Sequence, residues 1–272
     1  MNKITFSEKE LYDFKEMIEN GESITSISKK IGVDRHIISR ELKGFFNDSI
    51  NISNKKYSLN ENYFETIDNE EKAYWLGFIS ADGNIYKRDN NGTIILSFNL
   101  NIRDKKHLEK FLKSIDSNIP IKEKDGAGYG EGTKIASLCI NSKKLGNDLI
   151  KLGVVPRKSL ILNPPLIDEI FIKDWIRGYF DGDGSVIPLL KNGNSQLSFQ
   201  GTKEVLNFIQ NFLTPEKEIK LYQKDINKNN FSFNYGGRKN IIGILNKFYL
   251  NPKIYLDRKY KKVLEIYSRF GE

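Results

Sequence analysis

Cysteine is nearly missing from this chain. Cys139 is the only one in 272 residues, so no disulfide can form within it. Histidine is almost as scarce, with two, and a structural zinc site built from Cys and His is not expected. No apolar run comes near the roughly 20 residues that span a membrane. The opening Met1-Asn2-Lys3-Ile4-Thr5-Phe6-Ser7 has no apolar stretch of the kind a secretory signal needs. Together these absences predict a reduced, intracellular setting, in a bacterial or phage-infected host or in an organelle. Acidic residues are also in deficit: 35 Asp and Glu against 43 Lys and Arg leave a net charge of +8 and a pI near 9.2. A chain this basic suits a polyanionic partner without specifying one. Its length allows one sizeable domain plus a small one.

What the chain does have is a nine-residue pattern written twice. Trp75-Leu76-Gly77-Phe78-Ile79-Ser80-Ala81-Asp82-Gly83 and Ile176-Arg177-Gly178-Tyr179-Phe180-Asp181-Gly182-Asp183-Gly184 both end in a small residue, Asp and Gly. Asp82 and Asp183 lie 101 residues apart (183 − 82). Each run predicts a helix ending at the final glycine, where a left-handed cap costs little. Gly77 and Gly178 hold the third position, and Ala81 and Gly182 the seventh; four residues apart, they share a helix face. Two such helices can pack side by side with their backbones almost touching, which brings Asp82 and Asp183 together at the C-terminal ends. Each carboxylate there meets the negative end of a helix dipole and a second carboxylate. A cation between them relieves both conflicts, and a close pair of oxygen donors suits Mg²⁺, which keeps several of its waters. A single Asp-Gly is also a common turn; two copies with the same small-residue spacing argue against that plainer reading.

This pattern resembles the motif of the LAGLIDADG homing endonucleases, over roughly residues 70–265 and with both copies in one chain, as in the monomeric members. The resemblance implies an α+β fold of two αββαββα repeats related by a pseudo-two-fold axis. It also implies Mg²⁺-dependent double-strand cleavage of a long, asymmetric DNA site by a monomer. Asp82 and Asp183 fill the metal-binding position, with Ala81 and Gly182 beside them as further metal contacts. Lys143 and Lys239 are carried over as catalytic lysines, with Lys203 as a residue that orients water. Two departures stand out. Ser80 occupies the sixth position, usually Asp, and Arg177 occupies the second, usually Ala, where it is expected to turn that helix face toward solvent.

Taken in order, residues 1–46 predict three short helices. Ser7 and Glu10 form a capping box, Leu11, Phe14 and Ile18 share a face, and Gly21 ends the first helix. Ile24, Ile27 and Ile31 mark the second, Gly32 and Val33 a turn, and Asp34 caps a third with Ile37, Ile38 and Leu42 inward. The stretch from Ile24 to Lys43 resembles a helix-turn-helix, which places Arg35, His36, Ser39, Arg40 and Lys43 toward DNA; a plain helical bundle with a solvated polar face is the alternative. Residues 47–66 read as a linker, with Lys55 and Lys56 either tracking phosphates or simply solvated. Asp68 and Glu71 form a second capping box.

The first repeat is expected over 67–165 and the second over 166–272. Alternation marks strands: Leu96, Phe98 and Leu100 inward against Ser97, Asn99 and Asn101 outward, and Ala136, Leu138 and Ile140 against Ser137, Cys139 and Asn141. The second repeat offers Gln196, Ser198 and Gln200, then Tyr222 and Lys224, then Ser232 and Asn234. Amides and hydroxyls on a regular face suit base edges in the major groove, although any sheet surface is polar. Two other functions stay open: a non-cleaving DNA-binding regulator, disfavoured because both acids are kept, and an intron RNA maturase. Intein splicing is disfavoured, since the chain lacks a leading Cys or Ser and a closing His-Asn.

Overall fold

The computed structural model describes residues 4–19, 22–47, 57–87, 92–126, 132–190, 193–216, 218–223, 225–226 and 228–270. Residues 1–59 and 60–272 form two compact units.

The smaller unit holds α1 (Glu8–Glu19), α2 (Ile24–Ile31) and α3 (Arg35–Phe45). The Ser7–Glu10 capping box forms: the Ser7 amide donates to the Glu10 carboxylate at 2.8 Å, and the Glu10 amide to Ser7 Oγ at 3.3 Å. Gly32 supplies the left-handed turn after α2, at φ 71°, a conformation that only glycine adopts without strain. Asp34 then caps α3 by accepting the His36 amide. Leu11, Phe14, Ile24, Ile27, Ile38 and Leu42 make the core of this unit, and Ile37 is only half-buried. Gly21, Lys55 and Lys56 lie outside the described residues.

The larger unit begins earlier than the expected end of the linker. Tyr63 and Phe64 are buried, Phe64 lies against Phe111, and the Asn60 amide donates to the Ile115 carbonyl. Two bulky aromatics in sequence anchor 60–66 to this core.

The first repeat then runs α4 (Glu70–Asp82), β1 (Asn84–Lys87), β2 (Ile94–Asn101), α5 (Lys105–Ser114), β3 (Lys122–Asp125), β4 (Lys134–Asn141) and α6 (Lys143–Lys151). The second runs α7 (Ile172–Asp183), β5 (Ser185–Ile187), β6 (Gln196–Gly201), α8 (Lys203–Leu213), β7 (Tyr222–Gln223), β8 (Phe231–Gly236) and α9 (Arg238–Phe248), followed by α10 (Asp257–Phe270). Each half has the expected αββαββα order. Each contains a four-stranded antiparallel sheet, in the orders β1-β2-β4-β3 and β5-β6-β8-β7.

The cap of α4 differs from the expectation. Asn69, in an extended conformation, accepts the Lys72 amide and is the N-cap. Asp68 pairs with Lys72 instead, at 2.9 Å, and Glu71 bonds Ser114.

The two motif helices form the centre of this unit. Every residue of α4 from Ala73 to Ser80 is buried, as is α7 from Asp174 to Asp181. Aromatic contacts tie each helix to its own sheet: Phe78 to Phe98 in the first half, and Phe180 to Phe199 and on to Phe233 in the second. Arg177 does not face solvent. It is 3% exposed, and it donates to Asp174 and Glu70, both at 2.9 Å, and to the carbonyls of Phe248 and Ile254. A guanidinium carries five donors, and this site occupies enough of them to hold the charge inside.

Candidate active site at the paired helix ends

Where α4 and α7 touch, the contacts are reciprocal. A methyl group placed on Gly77 would lie 2.0 Å from the Trp175 carbonyl oxygen and 2.8 Å from the Tyr179 nitrogen. One placed on Gly178 would lie 1.9 Å from the Tyr74 carbonyl oxygen and 2.8 Å from the Phe78 nitrogen. Trp175 and Tyr179 stand 101 residues after Tyr74 and Phe78 (175 − 74, 179 − 78), as Gly178 does after Gly77. Each helix therefore presses the same backbone surface on the other, as a two-fold relation requires. Closer to the ends, a methyl on Gly182 would lie 2.3 Å from the Ala81 side chain and 3.4 Å from the Asp82 carboxyl carbon. The four small residues thus set how near Asp82 and Asp183 come.

Gly83 and Gly184 do not form the expected left-handed caps. Both are extended, at φ −74° and −86°. Their glycine serves a close approach instead: a side chain would meet the Ile79 carbonyl oxygen at 2.7 Å or that of Phe180 at 2.5 Å.

The electrostatics of the pair follow from this crowding. Burial pushes the Asp82 carboxyl up to about 6, and the neighbouring charge of Asp183 pushes the same way. Asp183 is exposed at the helix tip, yet the protein mass behind it raises its carboxyl too. Among the described residues, the cations that pull most strongly against these shifts are Lys158 and Lys259, acting on both acids.

Neither lysine figured among the sequence expectations. Lys158 is buried in a short 3₁₀ turn, Lys158–Leu160, and its Nζ donates to the Ala81 carbonyl at 2.6 Å. Lys259 is buried in the first turn of α10, and its Nζ donates to the carbonyls of Phe180, Gly182 and Gly184 at 2.6, 3.2 and 2.5 Å. Each ammonium therefore plugs the C-terminal end of one motif helix, where a cation is favoured. Burial lowers both, Lys259 to about 8. The signal was present in the sequence: Arg157-Lys158 and Arg258-Lys259 repeat at the spacing of the aspartates (259 − 158 = 101).

The expected lysines sit elsewhere. Lys143 opens α6 and Lys203 opens α8, both exposed. Lys239 lies in the first turn of α9, its side chain outside those described. The carbonyls of Ala81 and Gly182, expected as metal contacts, each already accept one lysine hydrogen bond.

The sheet faces are placed by register. Asn99 pairs with Ser137 and Asn101 with Ile135; Ser97 lies between Asn84 and Cys139. Asn99, Asn101 and Cys139 are exposed, but Ser97 is buried under its neighbours, and the Asn101 side chain caps the turn that follows it. In the second sheet Ser198 pairs with Asn234, Gln200 with Ser232, and Ser232 with Tyr222. Gln196, Ser198, Gln200 and Ser232 are half-buried, and Asn234 and Tyr222 are exposed. Lys224 is outside the described residues. Gln200 shares a cavity of about 230 Å³ with Lys158, Tyr179 and Asp183, so that amide and one of the two acids line the same space. A larger cavity, about 820 Å³, lies at the other end of α4, around Glu70, Lys113 and Lys253. In the small unit Arg35, His36, Arg40 and Lys43 are exposed and Ser39 half-buried; Arg40 is engaged by Glu41 at 2.9 Å.

No family model matches the sequence, and no curated protein matches it. Among solved structures the chain is similar to the LAGLIDADG meganuclease I-AabMI bound to uncleaved DNA. Identity is 14%, 74% of this chain and 90% of that one are covered, and the TM-score is 0.49. The I-LtrWI LAGLIDADG homing endonuclease bound to target DNA gives 12% identity, 78% and 92% coverage and a TM-score of 0.45. For I-GzeII, a LAGLIDADG homing endonuclease in complex with its DNA target, the values are 14%, 74%, 91% and 0.43. The architecture itself rests on the chain's own two αββαββα halves and their reciprocal glycine contacts.

Proposed function

We propose that the chain is a site-specific DNA endonuclease of the LAGLIDADG type, which cuts both strands of a long, asymmetric duplex as a monomer. One observation carries this reading. The glycines of α4 and α7 bring two carboxylates together at paired helix ends, where two buried lysines flank them.

The donor set suits Mg²⁺. Two crowded carboxyls that hold a proton more readily than free aspartates are relieved by a divalent cation, and Mg²⁺ keeps waters in its remaining positions. When bound, it activates water and stabilises the charge of a departing oxygen. Asp82 and Asp183, one from each half, would hold it. Lys158 and Lys259, fixed on helix-end carbonyls, supply the positive charge that offsets a phosphate brought next to two acids. We assign the lysine roles to this pair in preference to Lys143 and Lys203, because among the described residues these two are the cations that pull most strongly on both carboxyls. Asn99, Asn101, Gln196, Ser198, Gln200, Ser232 and Asn234 present amides and hydroxyls to base edges. The small unit adds flanking contacts through Arg35, His36, Ser39, Arg40 and Lys43 as a helix-turn-helix.

Incubation with a randomised duplex library and Mg²⁺, followed by sequencing of the ends, tests the reading. The expected result is one family of long sites cut on both strands. A footprint of the full chain should extend further on one side than that of a chain starting at Asn60. Retention of a specific site with no cut at any Mg²⁺ concentration would replace the nuclease with a DNA-binding regulator.

A further inference from the structure

Asp181, at the sixth motif position of the second repeat, has no part in the chemistry above, and the first repeat has Ser80 in its place. Its surroundings are unusual. The side chain is fully buried, yet it accepts three hydrogen bonds from three different parts of the fold. Tyr74 Oη, from the first repeat, donates to Oδ2 at 2.7 Å. Tyr249 Oη, just past α9, donates to Oδ1. The Leu256 amide, just before α10, donates to Oδ2 at 2.7 Å.

The network continues on both sides. Because Tyr74 commits its proton to the carboxylate, its oxygen is left to accept, so His107 donates through Nε2 at 3.0 Å. Burial holds the His107 imidazole down at about 3, in its neutral form. On the other side, the Leu256 carbonyl accepts the Lys259 amide at 2.9 Å and the Tyr260 amide at 3.0 Å. One residue thus connects the Asp181 carboxylate to the backbone of Lys259, whose ammonium returns to the carbonyls of Phe180 and Gly182, the neighbours of Asp181. The ring is closed.

We infer that Asp181 is a positioning residue: through the Leu256 amide it fixes the start of α10 and so seats the Lys259 ammonium on the end of α7. The first repeat does without such an anchor. Ser80 turns its hydroxyl onto the Leu76 carbonyl of its own helix, at 2.8 Å. The Lys158 turn is held instead from the second repeat, by Thr202 on the Leu162 carbonyl at 2.6 Å and Asn229 on the Leu160 carbonyl at 3.2 Å. The seating of Lys259 therefore depends on Asp181, and that of Lys158 does not.

This inference takes the role of Lys259 from the proposed function, but its test does not need cleavage. Reductive methylation of folded protein, read residue by residue by mass spectrometry, reports whether an ammonium is seated. In the wild type Lys158 and Lys259 should both be protected relative to the exposed Lys261. In Asp181→Ser, Lys259 should lose protection and react as Lys261 does, while Lys158 stays protected. Asp181→Asn, which keeps an acceptor for the Leu256 amide, should restore much of the protection. On a cleavable site, Asp181→Ser should slow one strand more than the other, by on the order of 100-fold as a misplaced group does, with DNA retention without metal unchanged. Continued protection of Lys259 in Asp181→Ser would overturn the inference. So would equal loss at Lys158 and Lys259, which marks general loosening. A wild type that cuts nothing would remove the proposed function and leave the labelling result to stand.

Discussion

The two halves of the larger unit reach the same end by different means. Each delivers an aspartate to the tip of its motif helix and a buried lysine to the carbonyls beneath it, at the same spacing along the chain. In the first half that lysine sits in a short 3₁₀ turn behind Arg157, a non-glycine residue at φ 57°, and reaches one carbonyl. In the second it sits in a fourteen-residue helix and reaches three. The second half also buries Asp181, Arg177 and Asp174, where the first has Ser80, Leu76 and Ala73. Beyond the common αββαββα frame, the halves match most closely around the paired acids, in the glycines, the aspartates and the lysines. The supporting structure is free to differ, as expected if the site is what constrains the chain.

The largest effect should come from the shared glycines. Gly178→Val adds a side chain where the Tyr74 carbonyl already lies too close for a methyl group, so the helices must part. Overpacking typically costs about 1–3 kcal/mol, and contact with backbone falls at the upper end. Thermal denaturation should show a lowered midpoint, and Mg²⁺-dependent cutting should vanish even where circular dichroism still shows a folded chain. Full activity of a Gly77→Val, Gly178→Val double variant would break the symmetric interface.

The lysines come next. Lys158→Met and Lys259→Met should each slow cutting by on the order of 100-fold, as removal of one preorganised donor does, and unequally on the two strands. Rates of nicking and linearisation of a plasmid separate the strands. If both stay at the wild-type level while Lys143→Met slows them, the functional lysine lies at the start of α6.

A smaller effect isolates the first sheet. Cys139 is exposed, unique in the chain, and in register with Ser97 on the proposed DNA face. A bulky maleimide there should weaken DNA binding by about tenfold, the loss of contacts worth roughly 1–3 kcal/mol. Cys139→Ser should bind normally and resist the reagent. Unaltered binding by the labelled protein would move the DNA off this face.

The smallest effect is on stability and has a definite sign. Asp82 holds its proton more tightly folded than unfolded, about 6 against 3.8. Its ionisation therefore destabilises the folded chain as pH rises through that window. Asp82→Asn should stabilise the fold in metal-free buffer at pH 7 by on the order of 1–3 kcal/mol, read as a raised thermal midpoint, and the gain should fade by about pH 4. Added Mg²⁺ should stabilise the wild type and not the variant. A variant less stable than the wild type at pH 7 would show that the carboxyls are not in conflict.

Much of this was legible in the sequence because it depends on local chemistry. Period-two alternation placed Phe98, Leu138 and Ile140 inward, Ser7 and Glu10 capped α1, and Gly32 turned the chain. The repeated small residues foretold that α4 and α7 meet at Gly77 and Gly178. What was not legible depends on distant contacts. Arg177 reads as a surface residue until Glu70, Asp174 and two carbonyls converge on it. Ser97 reads as exposed until Asn84 and Cys139 flank it. Lys158 and Lys259 carry no local mark, since a lysine in a basic chain is ordinarily solvated. Only their common spacing with Asp82 and Asp183 distinguishes them. Asn69 took the cap from Asp68 because backbone conformation, not residue type alone, decides between adjacent candidates.

The central claim is that both halves complete one shared centre. Counting the strands cut by each single acid variant tests it most directly. On a selected site in supercoiled plasmid with Mg²⁺, Asp82→Asn and Asp183→Asn should each leave both strands intact while still retaining the DNA. A nicked circle from either variant would mean that each aspartate serves its own strand, and would contradict the shared centre.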